Sequence, residues 1–455
     1  MIIHNTLGGE DQEFIPDHPG RVNMFVCGPT VYDDSHIGHA RTNILFDVIA
    51  KYLRARGYSV FYLQNITDID DKIINRANEE GKKYTDISDY YLQKYLSVMK
   101  ALKIDSINYF ARASLYVEEI IDQIKRIMKN GYAYETSDGV YFRVKKFSDY
   151  GKLSGQNMDE IKANARGTIN EEKEAPEDFV LWKKMKPGEP YWESPWGKGR
   201  PGWHIEDTAI TEAYFGMEYD IHGGGSDLIF PHHEAEIAQM RSISGKKYLA
   251  RYWIHTGMVN INSEKMSKSL KNFIKTMDVL KIYRPEVLRF AMVNSNYNTI
   301  IDYSEQLMED SKNSVEGINI LYRKLQDITG ASGNYVIDSN QVIENFNNIM
   351  DRNFDTRSLI RELLSFVSET NKNLNQVSSR SAAEAMKVIE YCDSFLSILY
   401  NSTGNMDWAI DLAVDVRNHA RKSKYYELSD YIRKELQKHG VYVEDNGDST
   451  TWLNK

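Results

Sequence analysis

Two short segments carry residue types that suit phosphate chemistry. The first is His36-Ile37-Gly38-His39, whose two histidines are three residues apart and would share one face of a helix. At the start of a helix, such a pair can stabilise the negative charge that develops on a phosphate under attack. The second is Lys265-Met266-Ser267-Lys268-Ser269, whose two flexible cations could hold a leaving pyrophosphate. Each segment alone is a weak signal, but the pair in this order is a strong one.

These two segments need elements that position them. Residues 22–27 predict a buried strand, about 38–56 an amphipathic helix and 59–63 the next strand. Strand, helix and strand at this spacing form a βαβ unit and therefore predict a parallel sheet. The first strand-to-helix turn of such a unit is a phosphate-binding place, since the N–H groups of the helix N-terminus point at the ligand. The histidine segment lies in this turn.

The rest of the chain predicts an insertion and further domains. A strand at 217–222, followed by three glycines, indicates that the sheet resumes after the insertion. The fold class is therefore α/β, with a Rossmann-type parallel-sheet domain that carries an insertion, then an all-α domain and a small C-terminal module with one helix over about 411–438. The predicted segments are 1–104 (first half of the sheet domain), 105–200 (insertion), 201–250 (second half), 251–305 (the lysine-containing loop and a connecting fold), 306–400 (helical bundle) and 401–455 (C-terminal region).

Composition excludes several classes of protein. The 455 residues are 42% hydrophobic and 27% charged, with 28 Gly and 10 Pro, which is unlike a fibrous or low-complexity chain. No apolar run approaches the roughly 18 residues of a membrane span, and the N-terminus does not resemble a secretory signal, so we expect a cytoplasmic protein. The two cysteines, Cys27 and Cys392, do not form a disulfide framework. A net charge of −9 excludes a protein that coats nucleic acid with a generally basic surface, but it is compatible with a local RNA-binding site.

Together, the histidine and lysine segments resemble the two motifs of class I aminoacyl-tRNA synthetases. Further segments are similar to cysteinyl-tRNA synthetases: 26–33 (VCGPTVYD), 65–72 (NITDIDDK), 202–206 (GWHIE), 220–228 (DIHGGGSDL) and 230–239 (FPHHEAEIAQ). The resemblance runs from about residue 2 to 455. It implies that cysteine and ATP, accompanied by Mg²⁺, form cysteinyl-adenylate, which is then transferred to tRNA(Cys).

The resemblance also implies roles for individual residues. The residues that would stabilise the reacting phosphate and hold pyrophosphate are His36, His39, Lys265 and Lys268. The further residues expected to line the ATP site are Thr30, His222, Gly224 and Asp227. The residues expected at the cysteine substrate are Cys27, Thr30, Trp203 and His232.

A metal site is the next feature that the resemblance implies. The family pattern places zinc on two cysteines, a histidine and a glutamate, which correspond here to Cys27, Asp207, His232 and Glu236. Asp207 thus stands at the second cysteine position, although aspartate is also a zinc ligand and keeps the ligand charge. We expect one zinc ion, with an affinity that could be lower because one soft sulfur donor is missing. A bond between zinc and a thiolate would separate cysteine from serine, which shape alone distinguishes weakly.

The C-terminal region predicts an RNA-binding surface. Residues 417–438 contain seven Lys or Arg against three Asp or Glu, with Tyr425 and Tyr426 interleaved. Exposed aromatic rings beside basic residues suit the stacking of unpaired RNA bases. The resemblance implies that this region binds the tRNA anticodon through Arg421, Tyr426, Asp430 and Asp445, with Tyr426 standing where the family usually has Trp.

Two alternatives stay open at this point. A related ligase joins cysteine to an amino sugar through the same adenylate, but it needs no anticodon-binding region. A non-catalytic RNA-binding relative would need neither catalytic motif. The two intact motifs and the basic C-terminal helix favour a synthetase, which we expect to be a monomer.

The lysine segment generates a first prediction. Replacing Lys268 with alanine should lower adenylate formation by orders of magnitude, because the variant lacks a cation that holds the leaving pyrophosphate. The measurement is ATP–pyrophosphate exchange, with circular dichroism as the check that the fold is unchanged. A folded variant with near-normal turnover would contradict the assigned role.

Overall fold

The computed structural model describes residues 1–164, 172–261, 264–266, 273–329, 332–400, 407–438, 441–446 and 449–454. Two units divide the chain, Met1–Leu399 and Tyr400–Lys455. The strands are β1 Ile2–Asn5, β2 Glu10–Glu13, β3 Arg21–Val26, β4 Ser59–Ile66, β5 Tyr109–Arg112, β6 Ala133–Glu135, β7 Gly139–Phe142, β8 Phe179–Lys184, β9 Gly199–Pro201, β10 Tyr219–Gly225, β11 Ala250–Thr256, β12 Val259–Ile261, β13 Glu264–Lys265, β14 Ile301–Tyr303, β15 Val441–Asn446 and β16 Ser449–Asn454.

The helices are interspersed among the strands up to β14 and dominate the chain after it. They are α1 Ile37–Ala55, α2 Asp71–Glu80, α3 Tyr84–Ala101, α4 Val117–Lys129, α5 Met158–Asn164, α6 Trp203–Phe215, α7 Glu234–Ser244, α8 Thr276–Leu280, α9 Pro285–Val293, α10 Glu305–Gln326, α11 Ser339–Met350, α12 Thr356–Lys372, α13 Ser379–Leu396, α14 Asp407–Lys422 and α15 Tyr426–Lys438. Among the described helices, none combines the length and the apolar character that a membrane span requires.

A five-stranded parallel sheet forms the centre of the first unit. Its strand order is β11-β10-β3-β4-β5, and every neighbouring pair is parallel. The interior of β3 and β4 is a nearly continuous buried run, which is typical of a sheet that is covered on both faces. The predicted α/β fold with a parallel sheet is confirmed.

The strand order creates a crevice at the middle of this sheet. From β3 the chain moves outward to β4 and β5, and it returns on the other side of β3 only at β10 and β11. Ligands of open parallel sheets bind beyond the carboxyl ends of the strands at such a reversal of order. This places the candidate site beyond the ends of β3 and β10.

The glycine run at 223–225 differs from the prediction. It was expected to follow a strand over 217–222, but β10 continues through Gly225. A side chain at Gly223 would meet the ring of Phe46 in α1, since an added Cβ would lie 2.2 Å from that ring. Gly223 therefore lets α1 pack directly on β10, and the glycine run does not end the strand.

The insertion is a four-stranded antiparallel sheet, in the order β6-β7-β8-β9. It was predicted to begin at residue 105. However, the strand Tyr109–Arg112 pairs with β4 and is an edge strand of the central sheet. The inserted segment therefore starts after Arg112, because the chain first adds one more parallel strand.

Helices α10 to α13 pack against the sheet domain within the first unit. A buried guanidinium contributes to this packing: Arg289 in α9 donates hydrogen bonds to Asp47 of α1 at 2.7 Å and to the carbonyl of Leu396 at 2.8 Å. Both charged side chains are fully buried. Separating this ion pair would leave an uncompensated buried charge, which is costly in free energy. The pair therefore constrains how the helices pack on the sheet.

The second unit contains two helices and a hairpin. The single helix predicted over 411–438 is instead α14 and α15, and the hairpin is formed by β15 and β16. The break lies at Lys424, whose φ of 63° is left-handed, a conformation that ends a helix. No glycine or proline lies between residues 411 and 438, so nothing in the sequence pointed to a break between two helices.

Candidate functional site

A cleft of about 430 Å³ opens at the carboxyl end of the central sheet. Residues at the ends of four parallel strands line it: Cys27 and Gly28 after β3, Asn65 in β4, Gly225 in β10 and Thr256 in β11. The histidine segment, Thr30, Trp203 and Asp227 lie on its walls. The sheet thus brings most of the predicted site residues around one cavity, whose volume suits a small-molecule ligand.

His36 caps the first turn of α1. Its Nδ1 accepts hydrogen bonds from the backbone N–H groups of Gly38 at 3.1 Å and His39 at 3.3 Å. Because Nδ1 is an acceptor, the proton of the neutral ring is on Nε2. The rings of His36 and His39 are stacked with centroids 3.7 Å apart, so the pair does share one face as predicted.

This cap corrects the expected role of the helix N-terminus. We predicted that backbone N–H groups of the first turn would point at a phosphate. Instead, those of Gly38 and His39 donate to His36, and that of Ile37 donates to the carbonyl of Ile274 at 3.1 Å. These three N–H groups therefore have acceptors within the protein, and an interaction of the turn with phosphate would have to come from the imidazole rings.

The chain that follows the lysine segment is joined to the histidine segment. Besides the bond from Ile37 to Ile274, the N–H of Thr276 donates to the carbonyl of Ser35 at 2.9 Å. The ring of Phe273 meets His36 edge-on, with centroids 5.0 Å apart. Lys268 lies outside the described residues, and Lys265 is described only as backbone in β13. These contacts hold residues 273–276 beside the histidine segment.

A cluster of metal-ligating side chains lies at the base of the cleft. The ligand atoms of the predicted set Cys27, Asp207, His232 and Glu236 are within 4.8 Å of one another. Nε2 of His232 is 3.0 Å from both Oδ2 of Asp207 and Oε1 of Glu236. The Sγ of Cys27 is 3.3 Å from Oδ2 of Asp207. The fold thus assembles all four residues, which come from the end of β3, from α6, and from the start of α7 with the turn before it.

Acidic groups outnumber the single imidazole of this set. Burial and the carboxylates of Glu236 and Asp207 raise the pKa of the Cys27 thiol well above its ordinary value. Burial would lower the pKa of His232, but the same two carboxylates outweigh it and raise that pKa to about 10. Burial also raises the pKa of Glu236. A divalent cation would relieve this crowding of negative charge, and the sulfur, nitrogen and oxygen donors suit zinc.

A second possible ligand set shares Cys27 and Glu236 with the first. It replaces Asp207 and His232 with His222 and His233. Nε2 of His233 is 3.1 Å from Sγ of Cys27. Sequence reasoning missed His233, although it adjoins His232 in the chain. His233 lies in the turn before α7, so its only signal in the sequence was its place beside the predicted ligand His232.

His222 and Gly224, predicted to line the ATP site, are not among the residues that line the cleft. His222 is fully buried, accepts or donates a hydrogen bond at 2.7 Å with the hydroxyl of Tyr219, and stacks on Trp253. An added Cβ at Gly224 would lie 2.8 Å from the ring of His233. Of the three glycines, Gly225 at the end of β10 lines the cleft, and the place of His222 and Gly224 in the ATP site stays a prediction.

Trp203 and Thr30 occupy the walls near the cluster. Trp203 stacks on His232 with ring centroids 4.2 Å apart, and about a third of its surface, 37%, remains exposed. Thr30 forms a parallel bridge with Thr67, which holds the chain after β3 beside the end of β4. Lys72, from the 65–72 segment, adds a cation to the same wall. These positions agree with a small substrate held beside the cluster.

The residues predicted to bind an anticodon lie in the second unit. Arg421, Tyr426 and Asp430 are exposed, and the exposed fraction of Tyr426 is 59%. Asp445 accepts hydrogen bonds from Arg417 at 2.7 Å and from Arg421 at 2.6 Å. The bond to Arg417 lowers the pKa of Asp445 below its usual range. Asp445 is thus ionised and serves to orient two arginines.

The comparisons with known proteins agree with this architecture. Residues 13–313 match the family model for the tRNA synthetase class I (C) catalytic domain. Cysteine–tRNA ligases of Thermoplasma volcanium and Thermoplasma acidophilum are 59% and 57% identical over 452 residues, which cover 99% of this chain and at least 99% of theirs. A solved Mycobacterium tuberculosis methionyl-tRNA synthetase with methionyl-adenylate shares the fold at a TM-score of 0.61 and 15% identity, covering 83% of this chain and 90% of that one.

These matches confirm the resemblance that the motifs indicated. The catalytic-domain match covers more than half of the chain, and the two ligases align along nearly its whole length. The chain belongs to the cysteine–tRNA ligase family of class I tRNA synthetases.

Proposed function

We propose that this protein is a cysteine–tRNA ligase. It activates cysteine with ATP to give cysteinyl-adenylate and pyrophosphate, and it then transfers the cysteinyl group to tRNA(Cys) with release of AMP. The observation that carries this proposal is that one cleft holds both the stacked pair His36 and His39 and the cluster of potential metal ligands around His232. The first set suits a phosphate and the second suits a sulfur-containing amino acid.

In the first half-reaction, the carboxylate of cysteine attacks the α-phosphorus of ATP, and the bond to pyrophosphate breaks. The rings of His36 and His39 stabilise the added negative charge, with Nε2–H of His36 as a donor. Lys265 and Lys268 hold the departing pyrophosphate. No side chain forms a covalent intermediate, so catalysis consists of positioning and charge stabilisation.

We further propose that one zinc ion is held by Cys27, Asp207, His232 and Glu236. This set is favoured over the one with His222 and His233 because three of its members, all but Glu236, line the cleft that receives substrate. When bound, zinc supplies a coordination position for a thiolate, which a serine hydroxyl fills poorly. Thr30 and Trp203 shape the pocket around the substrate, and Mg²⁺ accompanies ATP.

The second unit is proposed to bind the anticodon of tRNA(Cys). Exposed Tyr425 and Tyr426 offer stacking surfaces, and Arg421 lies a few residues before them. Asp430 and Asp445 complete the proposed set, with Asp445 acting partly by orienting Arg421. We propose that the enzyme works in the cytoplasm as a monomer. An amino-sugar ligase or a non-catalytic relative is not favoured, since the similarity to cysteine–tRNA ligases extends through the C-terminal region.

Replacing Gly38 with alanine should impair ATP activation. The added Cβ would lie 2.9 Å from the His36 ring, so the ring must move and the cap of α1 is disturbed. Because a displacement of about 1 Å can cost 10²-fold in rate, we expect ATP–pyrophosphate exchange to fall about 10- to 100-fold. Gly317→Ala in α10 is the control, since its Cβ enters open space. Equal activity of the two variants would contradict the role of this close contact.

The amino acid specificity is tested by ATP–pyrophosphate exchange with cysteine and serine in parallel. We expect strong exchange with cysteine and almost none with serine, because only the thiol can use the metal. Exchange with both would leave the ligase chemistry intact but refute thiol selection at a site containing Asp207. A folded protein that supports exchange with neither would refute the proposed activity.

The metal proposal has its own measurement. Elemental analysis of the purified protein should find one zinc ion per chain. Asp207→Ala should reduce that content, since the zinc would lose a ligand. Cys392→Ala is a matched control, because Cys392 is a buried cysteine in α13 that does not belong to either ligand set. A zinc-free protein that still activates cysteine would contradict the assignment.

A further inference from the structure

Asn65 contacts the ligand cluster without belonging to it. It is 2% exposed and lies near the carboxyl end of β4. Its Oδ1 accepts a hydrogen bond from the backbone N–H of Gly28 at 2.5 Å, and its Nδ2 donates to Oδ1 of Asp207 at 2.6 Å. A backbone N–H can only donate, so the bond to Gly28 determines which end of the amide faces Asp207. Asn65 therefore links Asp207 to the residue that follows Cys27.

The two carboxylate oxygens of Asp207 make different contacts. Oδ1 accepts the hydrogen bond from Asn65, whereas Oδ2 lies 3.0 Å from Nε2 of His232 and 3.3 Å from Sγ of Cys27. A carboxylate can bind a metal through one oxygen or through both, but a thiolate offers one atom. Since Oδ1 is engaged by Asn65, Oδ2 is the oxygen directed toward the other ligands.

We infer that Asn65 is a positioning residue that holds Asp207 as a single-oxygen metal ligand. This inference rests on the zinc site proposed above. A carboxylate at position 207 brings a second buried acceptor that a cysteine would lack, and such an acceptor is costly when unpaired. Asn65 satisfies it and fixes the carboxylate plane. Groups that orient metal ligands in this way typically change metal affinity by about 10- to 100-fold.

The test is a double-mutant cycle between Asn65 and Asp207. Asn65→Leu keeps the branched shape but removes the hydrogen bonds to Gly28, to Asp207 and, at 3.4 Å, to Thr67, and Asp207→Cys replaces the carboxylate with a ligand of one atom. Zinc dissociation constants of the wild type, both single variants and the double variant are measured by competition with a chromophoric chelator. We expect Asn65→Leu to weaken zinc binding about 10- to 100-fold with Asp at 207, and much less with Cys at 207. Equal losses in both backgrounds would overturn the inference, since they would reflect only the lost bonds to Gly28 and Thr67.

Cobalt substitution adds a readout that a merely structural role would not change. The visible absorption of Co²⁺ bound through one oxygen of Asp207 should be the intense spectrum of four-coordinate sites. In Asn65→Leu, the released Oδ1 can join the metal, and the bands should weaken as the coordination number rises. The bands should keep their intensity when Asn65→Leu is combined with Asp207→Cys. An unchanged spectrum in the single variant would overturn the inference.

Asn108→Leu is the matched control. Asn108 accepts the backbone N–H of Tyr62 in β4 at 2.8 Å through its amide oxygen, so the variant loses a comparable bond to the same sheet outside the cluster. It should bind zinc normally. If Asn65→Leu does not fold, Asn65→Ser removes the same donor with a smaller side chain and is measured in its place. A wild type that binds neither zinc nor cobalt would refute the zinc proposal and this inference, whereas normal zinc binding by folded Asn65→Leu would refute the inference alone.

Discussion

The parallel pairing of β3 with β10 is the interaction on which the cleft depends. Met24 lies opposite Ile221, and the N–H of Cys27 donates to the carbonyl of Gly223 at 3.0 Å. The pairing joins parts of the chain that are separated by the whole insertion. It places the residue after β3 beside the histidines of β10 and of the turn before α7. Without this pairing, the histidine turn and the cluster around His232 would not line the same cleft.

Helix α1 is held on this sheet by close packing and by one buried cation. Gly223 provides the space for Phe46, because any side chain there would overlap the ring. Arg41, fully buried in the same helix, donates to the carbonyls of Gly257 at 3.1 Å and Thr299 at 2.6 Å. These bonds fix the helix to the segment after β11, from which the lysine segment continues. The position of the His36 turn relative to that segment is therefore set by backbone contacts as well as by the cap.

The sequence indicated the elements better than it indicated their side-chain partners. Residue types and spacing were enough to predict β3, α1 and β4 and the membership of Asp207 in the ligand cluster, because each depends on local pattern or on motif resemblance. The position of His222 could not be predicted, because it depends on where β10 ends. The glycines at 223–225 look like a turn in the sequence, but Gly223 and Gly224 are needed for packing against α1 and His233. The capping of α1 by His36 was also hidden, since a histidine at a helix start can point to ligand or to backbone. The break between α14 and α15 at Lys424 could not be predicted either, because no glycine or proline lies beside it.

The substitution of a carboxylate for a thiolate changes what the surrounding protein must provide. A cysteine ligand uses one atom and leaves little else to satisfy, whereas Asp207 is buried with two oxygens that both require partners. One partner comes from β4, through Asn65, and the others come from β3 and the turn before α7. The position of the ligand set thus depends on the register of the central sheet, because β4 must end where the side-chain amide of Asn65 can reach Asp207 in α6. The proposed selection of a thiol would consequently depend on sheet geometry and not only on the four residues that would bind the metal.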